Sequence, residues 1–558
     1  MLLAVRNGRL LNLEECASMK VVPESQWNVR LGECTRRGII QGLGALGATL
    51  ASPLARRTAR AFSQESPEPP LHAKLRINLE LRLGTIDPFL YGHFLEHLGR
   101  CVYEGIYDEG SSLSDSEGNR KDVLAAARRL GVTQLRWPGG NFASGYHWQD
   151  GVGARDSRPA RFNLAWFQRE SNRFGTDEFI ATCRKLGAEP YLCVNMGSGT
   201  LDEAAGWVEY CNHEGGTRLS DLRRQGGHAK PYGVRLWGLG NEIFGDWQIG
   251  RKDVGEYTKA AVEFAKVMKW VDPSIKLVAC GSGESDWDKP VLEALVSHVD
   301  FISEHYYAEI DELKEYYEIM GSVAGMEALI RNAGRTAEAV SAAARKSPPV
   351  AVALDEWNIV YNLADGHKRG GIHKDEFSYN LRDALWVATA LNTLQRCCQT
   401  VRIANLAQLV NALAPIYTTA SGLLLRTIYF PLELYANRSG KVALDVRVES
   451  PTFETRHFGP HAYLDASATY HEAERRVTLA VVNRHRDADV VGTLRLDGAQ
   501  ARGTRAYIIA GAGPDAQNTF ANPAAVSTRQ LNFEVRGSQL DYRFPKHSIS
   551  WLEFELET

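Results

Sequence analysis

Two segments of this 558-residue chain decide the fold that the sequence predicts: LWGLGNE at residues 236–242 and VAVALDEWN at residues 350–358. Each contains a short apolar run of the kind that forms a strand buried on both faces. The first segment ends at Glu242, and the second runs through Glu356. A single glutamate at the end of a strand is usually an ion-pair partner at the rim of a sheet. The two become informative together only if both strands end on the same face of one scaffold.

The spacing of the other apolar runs predicts such a scaffold. Between residues 86 and 415, eight such runs alternate with amphipathic stretches; Asp122–Leu130 and Val254–Trp270, for example, place their apolar residues on one helical face. Eight strands alternating with helices predict an α/β fold, the (β/α)8 TIM barrel. A doubly wound open sheet is the rival fold, but no glycine fingerprint follows the first strand. The predicted strands are Phe89–Phe94, Gln134–Trp137, Pro190–Asn195, Val234–Leu239, Ile275–Ala279, Phe301–His305, Val350–Leu354 and Val401–Ala404.

A second domain is predicted from a change of periodicity near residue 420. Helical spacing gives way to alternation of apolar and polar residues, as in Arg476–Val482 and Ser548–Glu555. This pattern predicts a C-terminal antiparallel β-sandwich over residues 420–558. One alternating run, Lys74–Leu83, precedes the barrel, and we expect residues 71–85 to form a strand of the same sandwich. The catalytic barrel, residues 86–419, would then be an insertion between strands of the second domain.

Residues 1–70 are predicted to be an N-terminal extension outside the fold. Arg36 and Arg37 precede an uncharged stretch at residues 38–55, and Ala59–Ala61 offers small residues at the spacing of a cleavage site. This pattern predicts a twin-arginine signal, hence export to the periplasm or the exterior, followed by a linker at residues 63–70. The uncharged stretch is too short and too glycine-rich to predict a membrane anchor. A disordered tail on a cytoplasmic protein, or a start codon downstream of Met1, is the alternative.

Composition excludes several classes of function. The formal net charge is −3 and the pI is about 6.6, and the chain has no basic stripe of the kind that binds nucleic acid. Nine cysteines occur, but none forms a CxxC pair or a Cys/His cluster with the spacing of a zinc site. We expect them to be small buried apolar residues. The sequence therefore predicts no nucleic-acid partner, no metal and no cofactor.

Polar residues follow nearly every predicted strand, at the end where TIM barrels build their active sites. Glu242 follows the fourth strand and Glu356 the seventh, so the two acids are nearly opposite each other across the barrel mouth. Two carboxylates about 5–5.5 Å apart can cleave a glycosidic bond with retention, one attacking the anomeric carbon and the other serving as acid and then base. The polar residues are His93, Glu96 and His97; Arg136 and Asn141; Asn195; Asn241 and Glu242; His305, Tyr306 and Tyr307; Asp355, Glu356 and Asn358; and Gln408 and Asn411.

Six motifs occur in a fixed order around these residues. They are GHFLEH at 92–97, YEGIY at 103–107, WPGGNF at 137–142, GNE at 240–242, DEWN at 355–358 and AQLVN at 407–411. Together they resemble the α-L-arabinofuranosidases of glycoside hydrolase family 51, retaining glycosidases of clan A. The resemblance runs from about residue 75 to the end of the chain. It implies an arabinose-containing oligo- or polysaccharide as substrate and a homo-oligomer.

The resemblance also implies a role for each residue. Glu242 would be the general acid/base and Glu356 the nucleophile, with Arg136 beside Glu356 favouring its ionised form. His305 and Tyr307 would orient the two carboxylates, and Asn241 would bond the 2-hydroxyl of the sugar. The implied substrate-binding residues are Glu96, Asn141, Asn241, Tyr307 and Gln408, and the implied supporting residues are Arg136 and His305. Asp355 is predicted to be structural, because adjacent side chains on a strand point to opposite faces.

The predicted function is that of a retaining, exo-acting α-L-arabinofuranosidase that releases terminal non-reducing residues from arabinan or arabinoxylan-type substrates. Two alternatives remain open. An endo-acting glucanase or xylanase would use the same acids on the same scaffold and differ only in the shape of the cleft. A carbohydrate-binding protein with an inactive barrel is the second alternative, and the presence of both Glu242 and Glu356 argues against it.

Overall fold

Eight parallel strands close into a barrel in the computed structural model, which describes residues 71–361 and 376–557. The predicted TIM barrel is confirmed, with the strands in chain order around it. The first strand of the chain, β1 (Leu71–Thr85), belongs to another sheet, and the hairpin β4 (Arg161–Asn163) and β5 (Gln168–Glu170) lies between two barrel strands. The barrel consists of β2 (Gly92–Phe94), β3 (Gln134–Trp137), β6 (Glu189–Val194), β7 (Leu236–Leu239), β8 (Lys276–Cys280), β9 (Phe301–Glu309), β10 (Ala351–Val360) and β11 (Val401–Leu406).

Every predicted barrel strand overlaps an observed one, and the differences have local causes. The first strand begins at Gly92, because Pro88–Tyr91 forms a 3-10 turn in which the Asp87 side chain accepts a hydrogen bond from the Phe89 N–H. Both β9 and β10 extend beyond their apolar runs, because the polar residues that follow continue to pair as far as Glu309 and Val360. The extensions carry polar side chains over the mouth of the barrel.

Helices surround the barrel on its outer side. Their ends follow sequence signals: α5 is capped by Asp253, whose carboxylate accepts the Glu256 N–H, and α1 ends at Gly131 with a φ of 85°. The described helices are α1 (Lys121–Leu130), α2 (Thr176–Leu186), α3 (Leu201–Asn212), α4 (Arg218–Gln225), α5 (Val254–Val271), α6 (Ser285–Leu295), α7 (Ile310–Leu313), α8 (Tyr316–Gly321), α9 (Val323–Ala343), α10 (Leu381–Arg396) and α11 (Tyr429–Arg438). None of them is long and apolar enough to cross a membrane.

The C-terminal strands form one nine-stranded sheet, whose order is β21-β20-β23-β18-β17-β14-β1-β19-β22. The expected N-terminal strand is present: β1 lies between β14 and β19. The pairing is not purely antiparallel, since β1 runs parallel to β19; no hairpin connects these two strands, so their directions are independent. The remaining strands are β12 (Ile416–Thr419), β13 (Gly422–Leu425), β14 (Val442–Glu449), β15 (Thr452–Thr455), β16 (Gly459–Ala462), β17 (Leu464–His471), β18 (Arg476–Asn483), β19 (Val490–Asp497), β20 (Ala501–Ala510), β21 (Ser527–Leu531), β22 (Gln539–Phe544) and β23 (Ser548–Leu556).

Three apolar cores occur among the described residues, and the smallest of them lies inside the barrel and contains Tyr191, Ala353 and Ile403. The largest core fills the space between barrel and helices and continues into α11 through Tyr429 and Tyr435. The second core is made by the C-terminal sheet and contains Leu75 and Ile77 of β1, both fully buried. The predicted boundary at residues 419 and 420 falls in the turn of the β12–β13 hairpin. All seven cysteines among the described residues are buried and free. The predicted signal and linker lie outside the described residues.

Candidate active site

A tight turn after β7 positions Glu242. Gly240 has a φ of 82°, a left-handed conformation that glycine adopts without steric cost, and Glu242 itself has a φ of 40°. A non-glycine residue held at positive φ is uncommon, and such residues cluster at functional sites. The Oε1 atom of Glu242 lies 2.8 Å from Nδ1 of His305, and Nε1 of Trp247 donates to its Oε2 at 2.8 Å.

A β-bulge in β10 positions Glu356. On the neighbouring strand β9, Ser303 pairs with Ala353 and His305 pairs with Glu356, so β10 has one extra residue between these pairs. A bulge interrupts the alternation of side chains. As a result, Asp355 and Glu356, which are consecutive in the sequence, both contact the same guanidinium inside the barrel. The prediction that Asp355 points away from Glu356 is therefore wrong.

Arg136 on β3 connects both halves of the site. Its Nη1 donates to Glu356 Oε1 at 2.6 Å and its Nη2 donates to Asn241 Oδ1 at 2.7 Å, while Nε lies 3.3 Å from Asp355 Oδ2. Burial disfavours the charged guanidinium, but Asp355 and Glu356 outweigh this effect and raise the pKa of Arg136 well above its ordinary value. A permanent positive charge therefore lies beside Glu356.

Two residues of β9 complete the surroundings of the acids. The Tyr307 hydroxyl donates to Glu356 Oε2 at 2.7 Å, and His305 Nδ1 lies 3.7 Å from the same oxygen. Burial opposes a charge on His305, but Glu356, Asp355 and Glu242 together raise the pKa of this imidazole well above its ordinary value. His305 is therefore a cation placed between the two glutamates.

The two glutamates are close to each other. One oxygen of Glu242, one oxygen of Glu356 and one ring nitrogen of His305 all lie within 4.8 Å of one another. The sequence spacing predicted no metal-ligand set, whereas these three side chains meet the geometric condition for one. His305 bonds Glu242, however, and Glu356 bonds the Arg136 cation, a charge that disfavours a second cation at the same place.

Glu96 and Gln408 form a second group at the barrel mouth. Glu96 Oε1 accepts hydrogen bonds from the Phe142 N–H at 3.1 Å and from Trp166 Nε1 at 2.8 Å, and Gln408 Nε2 donates to its Oε2 at 3.3 Å. Burial and the negative charge of Glu356 raise the pKa of Glu96 to about 8, so this carboxyl group carries a proton at neutral pH.

Gly140, in the loop after β3, lies close to these groups. A Cβ atom placed on Gly140 would lie 3.2 Å from Glu356 Oε1, 3.4 Å from Glu96 Oε2 and 3.5 Å from Asn241 Nδ2. The Asn241 Nδ2 atom is buried and has no hydrogen-bond partner among the described residues. Asn141 follows Gly140 directly and is 7% exposed. The space above Gly140 thus faces one unused donor and two carboxyl groups, as a sugar ring with several hydroxyls requires.

All the site residues predicted from the sequence lie in this region of the barrel mouth, and the structure adds four that the sequence did not single out. Trp166 lies on the turn of the β4–β5 hairpin, and its Nε1 donates to Glu96. Trp247 lies on the loop after β7, and its Nε1 donates to Glu242. Tyr191 donates to Asp355 at 2.7 Å from β6, across the barrel, and Ser303 donates to it at 2.5 Å from the neighbouring strand β9. The two tryptophans lie in loops without periodicity, so no sequence pattern indicated them.

A cavity of about 770 Å³ lies at the other end of the barrel, where the strands begin. It is lined by the first residues of five consecutive strands: Glu189, Leu236, Lys276, Phe301 and Ala351. Neither glutamate contributes to it. Because the catalytic groups of TIM barrels lie at the carboxyl ends of the strands, this cavity is not the active site.

Comparisons with known proteins agree with this geometry. Residues 126–323 match the family model described as the α-L-arabinofuranosidase 1 domain, and residues 355–548 match the α-L-arabinofuranosidase C-terminal domain. The chain belongs to the α-L-arabinofuranosidases of glycoside hydrolase family 51. It is therefore a glycoside hydrolase, as the sequence predicted.

Three relatives illustrate the extent of the similarity. The intracellular exo-α-(1→5)-L-arabinofuranosidase 1 of Bacillus subtilis is 41% identical over 430 residues, which cover 74% of this chain and 85% of that protein. The intracellular exo-α-(1→5)-L-arabinofuranosidase of Streptomyces lividans is 40% identical over 470 residues, covering 81% and 71%. The crystal structure of the Thermotoga maritima α-L-arabinofuranosidase in complex with arabinose is 41% identical, with a TM-score of 0.81 over 87% of this chain and all of that one.

Proposed function

We propose that this family 51 protein is a retaining, exo-acting enzyme that releases terminal non-reducing α-L-arabinofuranosyl residues from arabinan or arabinoxylan-type substrates. The observation that carries the proposal is the distance between the two acids, since one oxygen of Glu242 lies within 4.8 Å of one oxygen of Glu356. Retaining glycosidases hold their carboxyl groups about 5–5.5 Å apart, whereas inverting enzymes need about 6.5–9.5 Å to admit a water.

In the first step, Glu356 attacks the anomeric carbon and Glu242 protonates the leaving oxygen. Arg136 and Tyr307 both donate to Glu356, and hydrogen bonds to a carboxylate favour its ionised form. The bond to the leaving oxygen breaks as the bond to the Glu356 oxygen forms, which gives a glycosyl-enzyme ester. Because Glu356 is fixed by donors on both of its oxygens, little reorganisation is needed for the attack.

In the second step, Glu242 accepts a proton from a water that attacks the same anomeric carbon. The ester bond to Glu356 then breaks and free arabinose leaves with its original configuration. Glu242 can change roles because it is in contact with His305, whose imidazolium donates at 2.8 Å and stabilises the negative charge that develops on Glu242 once its proton has been transferred.

The sugar would lie in the space above Gly140. The unused N–H of Asn241 faces this space and suits the 2-hydroxyl, a contact that strengthens in the transition state. The protonated Glu96, held by Gln408, offers both a donor and an acceptor to a ring hydroxyl. Asn141 and Tyr307 would complete the set of substrate-binding residues.

The exo action and the arabinan-type substrate are carried over from the relatives of Bacillus subtilis and Streptomyces lividans, which are named exo-α-(1→5)-L-arabinofuranosidases. A panel of nitrophenyl furanosides and pyranosides tests both the sugar and the mechanism. We expect hydrolysis of the α-L-arabinofuranoside, with proton NMR detecting the α anomer as first product. Appearance of the β anomer first would contradict the retaining mechanism, and cleavage of mixed-linkage glucan or xylan would favour the endo alternative.

Variants of the two glutamates test the assigned roles. Glu356→Gln should lower kcat by at least about 10³-fold, because it removes the group that forms the ester. Glu242→Ala should lose activity on substrates with poor leaving groups, whose departure needs the acid. On an activated aryl arabinofuranoside, whose leaving group departs without protonation, azide should restore turnover, because it attacks the glycosyl-enzyme without base assistance and gives an arabinosyl azide of retained configuration. Glu318→Gln, a change at a buried glutamate on α8, serves as the control and should leave kcat unchanged. Turnover that is unchanged in Glu356→Gln would instead favour the alternative of a carbohydrate-binding protein whose barrel is catalytically inactive.

Cellular location and assembly are further proposals. The pattern at residues 36–61 suggests export, whereas the two bacterial relatives are named intracellular, which favours the cytoplasmic alternative. Fractionation of cells that express the full chain, with and without an Arg36→Lys, Arg37→Lys change, distinguishes the two locations. The expected homo-oligomer is tested by light scattering of the purified protein.

A further inference from the structure

Asp355 is a buried carboxylate that neither step of the proposed reaction uses. It is fully buried, and its oxygens contact groups from three other strands of the barrel, the neighbouring strand β9 and the more distant β3 and β6. Tyr191 OH donates to Oδ2 at 2.7 Å and Ser303 Oγ donates to Oδ1 at 2.5 Å. Arg136 Nε lies 3.3 Å from Oδ2, and His305 Nε2 lies 3.5 Å from Oδ1. Asp355 thus contacts both cations of the site, on the side opposite the two glutamates.

The cations that Asp355 contacts are the ones that contact the reacting acids. Arg136 binds Glu356, and His305 binds Glu242 through its other nitrogen. Each cation is therefore held between Asp355 and one reacting carboxylate. Without Asp355, the negative charge of Glu356 alone would have to balance two buried cations whenever Glu242 is protonated. Unbalanced buried charge is costly, so one of the protons at the site would be lost more easily.

We propose that Asp355 is a positioning residue that holds Arg136 and His305 in place and keeps the charge of the site balanced while Glu242 carries the proton for the leaving group. This inference rests on the proposed function, since it concerns the same reaction. The bulge in β10 makes the arrangement possible, because it directs two consecutive carboxylates into the barrel. Burial alone would raise the pKa of Asp355, but Arg136 and His305 hold this pKa at about 2, so the charge is present at every pH at which the enzyme works.

The charged and titratable groups around Asp355 come from five strands of the barrel and from the loop after β7. They are Arg136 of β3, Tyr191 and Cys193 of β6, Cys280 of β8, Glu304 and His305 of β9, Glu356 of β10 itself and Glu242 of the loop. Removal of a negative charge makes protonation less favourable at every one of these groups. The sign of the expected effect is therefore the same whichever group limits the rate.

The test is the pH dependence of kcat/KM in Asp355→Asn and, in parallel, in Asp355→Ser, whose smaller side chain places no amide against Arg136. We expect the whole profile to move to lower pH by about one unit or more, the shift typical of losing an opposite charge at this distance. The fall in kcat should exceed any rise in KM, because Asp355 does not touch the substrate. A folded fraction that is constant across the pH range lowers the profile without moving it, so circular dichroism of each variant at each pH accompanies the kinetics.

Two controls separate charge from structure. Tyr191→Phe removes a hydrogen bond to Asp355 but leaves its charge, so the profile should keep its position. Asp465→Asn removes a buried aspartate paired with Arg396 at 3.1 Å, between α10 and β17, and should lower the melting temperature without moving the profile. An unmoved profile in both Asp355 variants, or an equal shift in Tyr191→Phe, would overturn the proposal. Failure of the proposed function would appear separately, as inactivity of the wild-type protein on arabinofuranosides.

Discussion

At the scale of single residues, the surroundings of the carboxyl groups distinguish their roles. Glu356 receives two donated hydrogen bonds, one of them from the Arg136 guanidinium, whereas Glu242 is bonded to His305 and Trp247. Burial and the negative charge of Glu356 outweigh the effect of Arg136 on Glu96 and raise its pKa to about 8. The three glutamates of this site thus have different partners, and different surroundings are what allow carboxyl groups of one site to serve different roles.

Arg136→Lys should lower kcat/KM by about 100-fold or more. A lysine keeps the positive charge but lacks the planar fork that reaches Glu356 and Asn241 together, and breaking a buried ion pair costs about 3–5 kcal/mol. Steady-state kinetics on a nitrophenyl arabinofuranoside measure the loss. Arg120, equally buried but bound to Asp122, is the matched control, and Arg120→Lys should reduce stability without this loss of activity. Equal losses in the two variants would contradict a specific role for Arg136.

Glu96 should make the protein less stable as pH rises. The folded carboxyl holds its proton up to a pH of about 8, while the ordinary value is 4.5, so the folded state binds more protons between these limits. The free energy of unfolding therefore falls from about pH 4.5 to 8, and Glu96→Gln should flatten this slope in urea titrations. Arg158 lowers the pKa of Glu178 despite its burial, so Glu178 does not make the free energy of unfolding fall in this pH range. Glu178→Gln is therefore the control. A slope unchanged in Glu96→Gln would contradict the assignment.

At the scale of elements, two irregular segments shape the site, the bulge in β10 and the loop after β3. Regular strands would direct alternate side chains into the barrel, and the loop would have no reason to contain two consecutive glycines. The bulge adds Asp355 to the interior, and Gly140 leaves room beside Glu356, Glu96 and Asn241. Irregular backbone of this kind is typical of positions where side chains are aimed at a ligand.

Gly140→Ala should raise KM and also lower the melting temperature. The backbone of Gly140 has a φ of −76° and a ψ of −111°, a combination outside the regions that alanine adopts without strain, and an added Cβ would lie 3.2 to 3.5 Å from Glu356, Glu96 and Asn241. That methyl group would also occupy space proposed for the sugar, so we expect KM to rise about tenfold or more, measured at a temperature at which the variant is folded. Gly422→Ala is the control, because a Cβ there meets nothing within 4 Å. A KM equal to that of wild type would show that the sugar lies elsewhere.

At the scale of the whole molecule, the C-terminal sheet combines strands from both sides of the barrel in the chain, because β1 precedes the barrel and the other eight strands follow it. β1 pairs with β14 on one side and with β19 on the other, and its Leu75 and Ile77 are buried in that sheet's core. Removing it would leave one edge of β14 and one edge of β19 unpaired and expose apolar surface. The C-terminal sheet is therefore an integral part of the fold rather than an appended module.

Removal of β1 should destabilise the protein strongly. We expect a chain that begins at residue 86 to be insoluble or to melt at a much lower temperature than one that begins at residue 71, as measured by circular dichroism. A fragment of residues 420–558 should likewise be unfolded, and a peptide of residues 71–85 should increase its β-structure by supplying the missing strand. A soluble, cooperatively folded 420–558 fragment without the peptide would contradict this expectation.

The sequence alone was sufficient to predict the barrel and the approximate position of its eight strands, and it singled out the two glutamates that we propose as acid/base and nucleophile. Apolar runs and helical periodicity report local burial, and each barrel strand buries its own residues, so local patterns locate it. The alternating run at Lys74–Leu83 predicted the N-terminal strand for the same reason. The motif GNE and the motif DEWN then identified Glu242 and Glu356.

Only the tertiary structure decided how these parts meet. The bulge that directs both Asp355 and Glu356 inward depends on the register of β10 against β9 and β11, and register between strands is set by packing that no local pattern records. The contacts of Trp166 and Trp247 likewise depend on loops that fold over the barrel mouth. The sequence determined which groups reach the mouth of the barrel. The tertiary structure determined the distances between them, and with these the charge that each one carries.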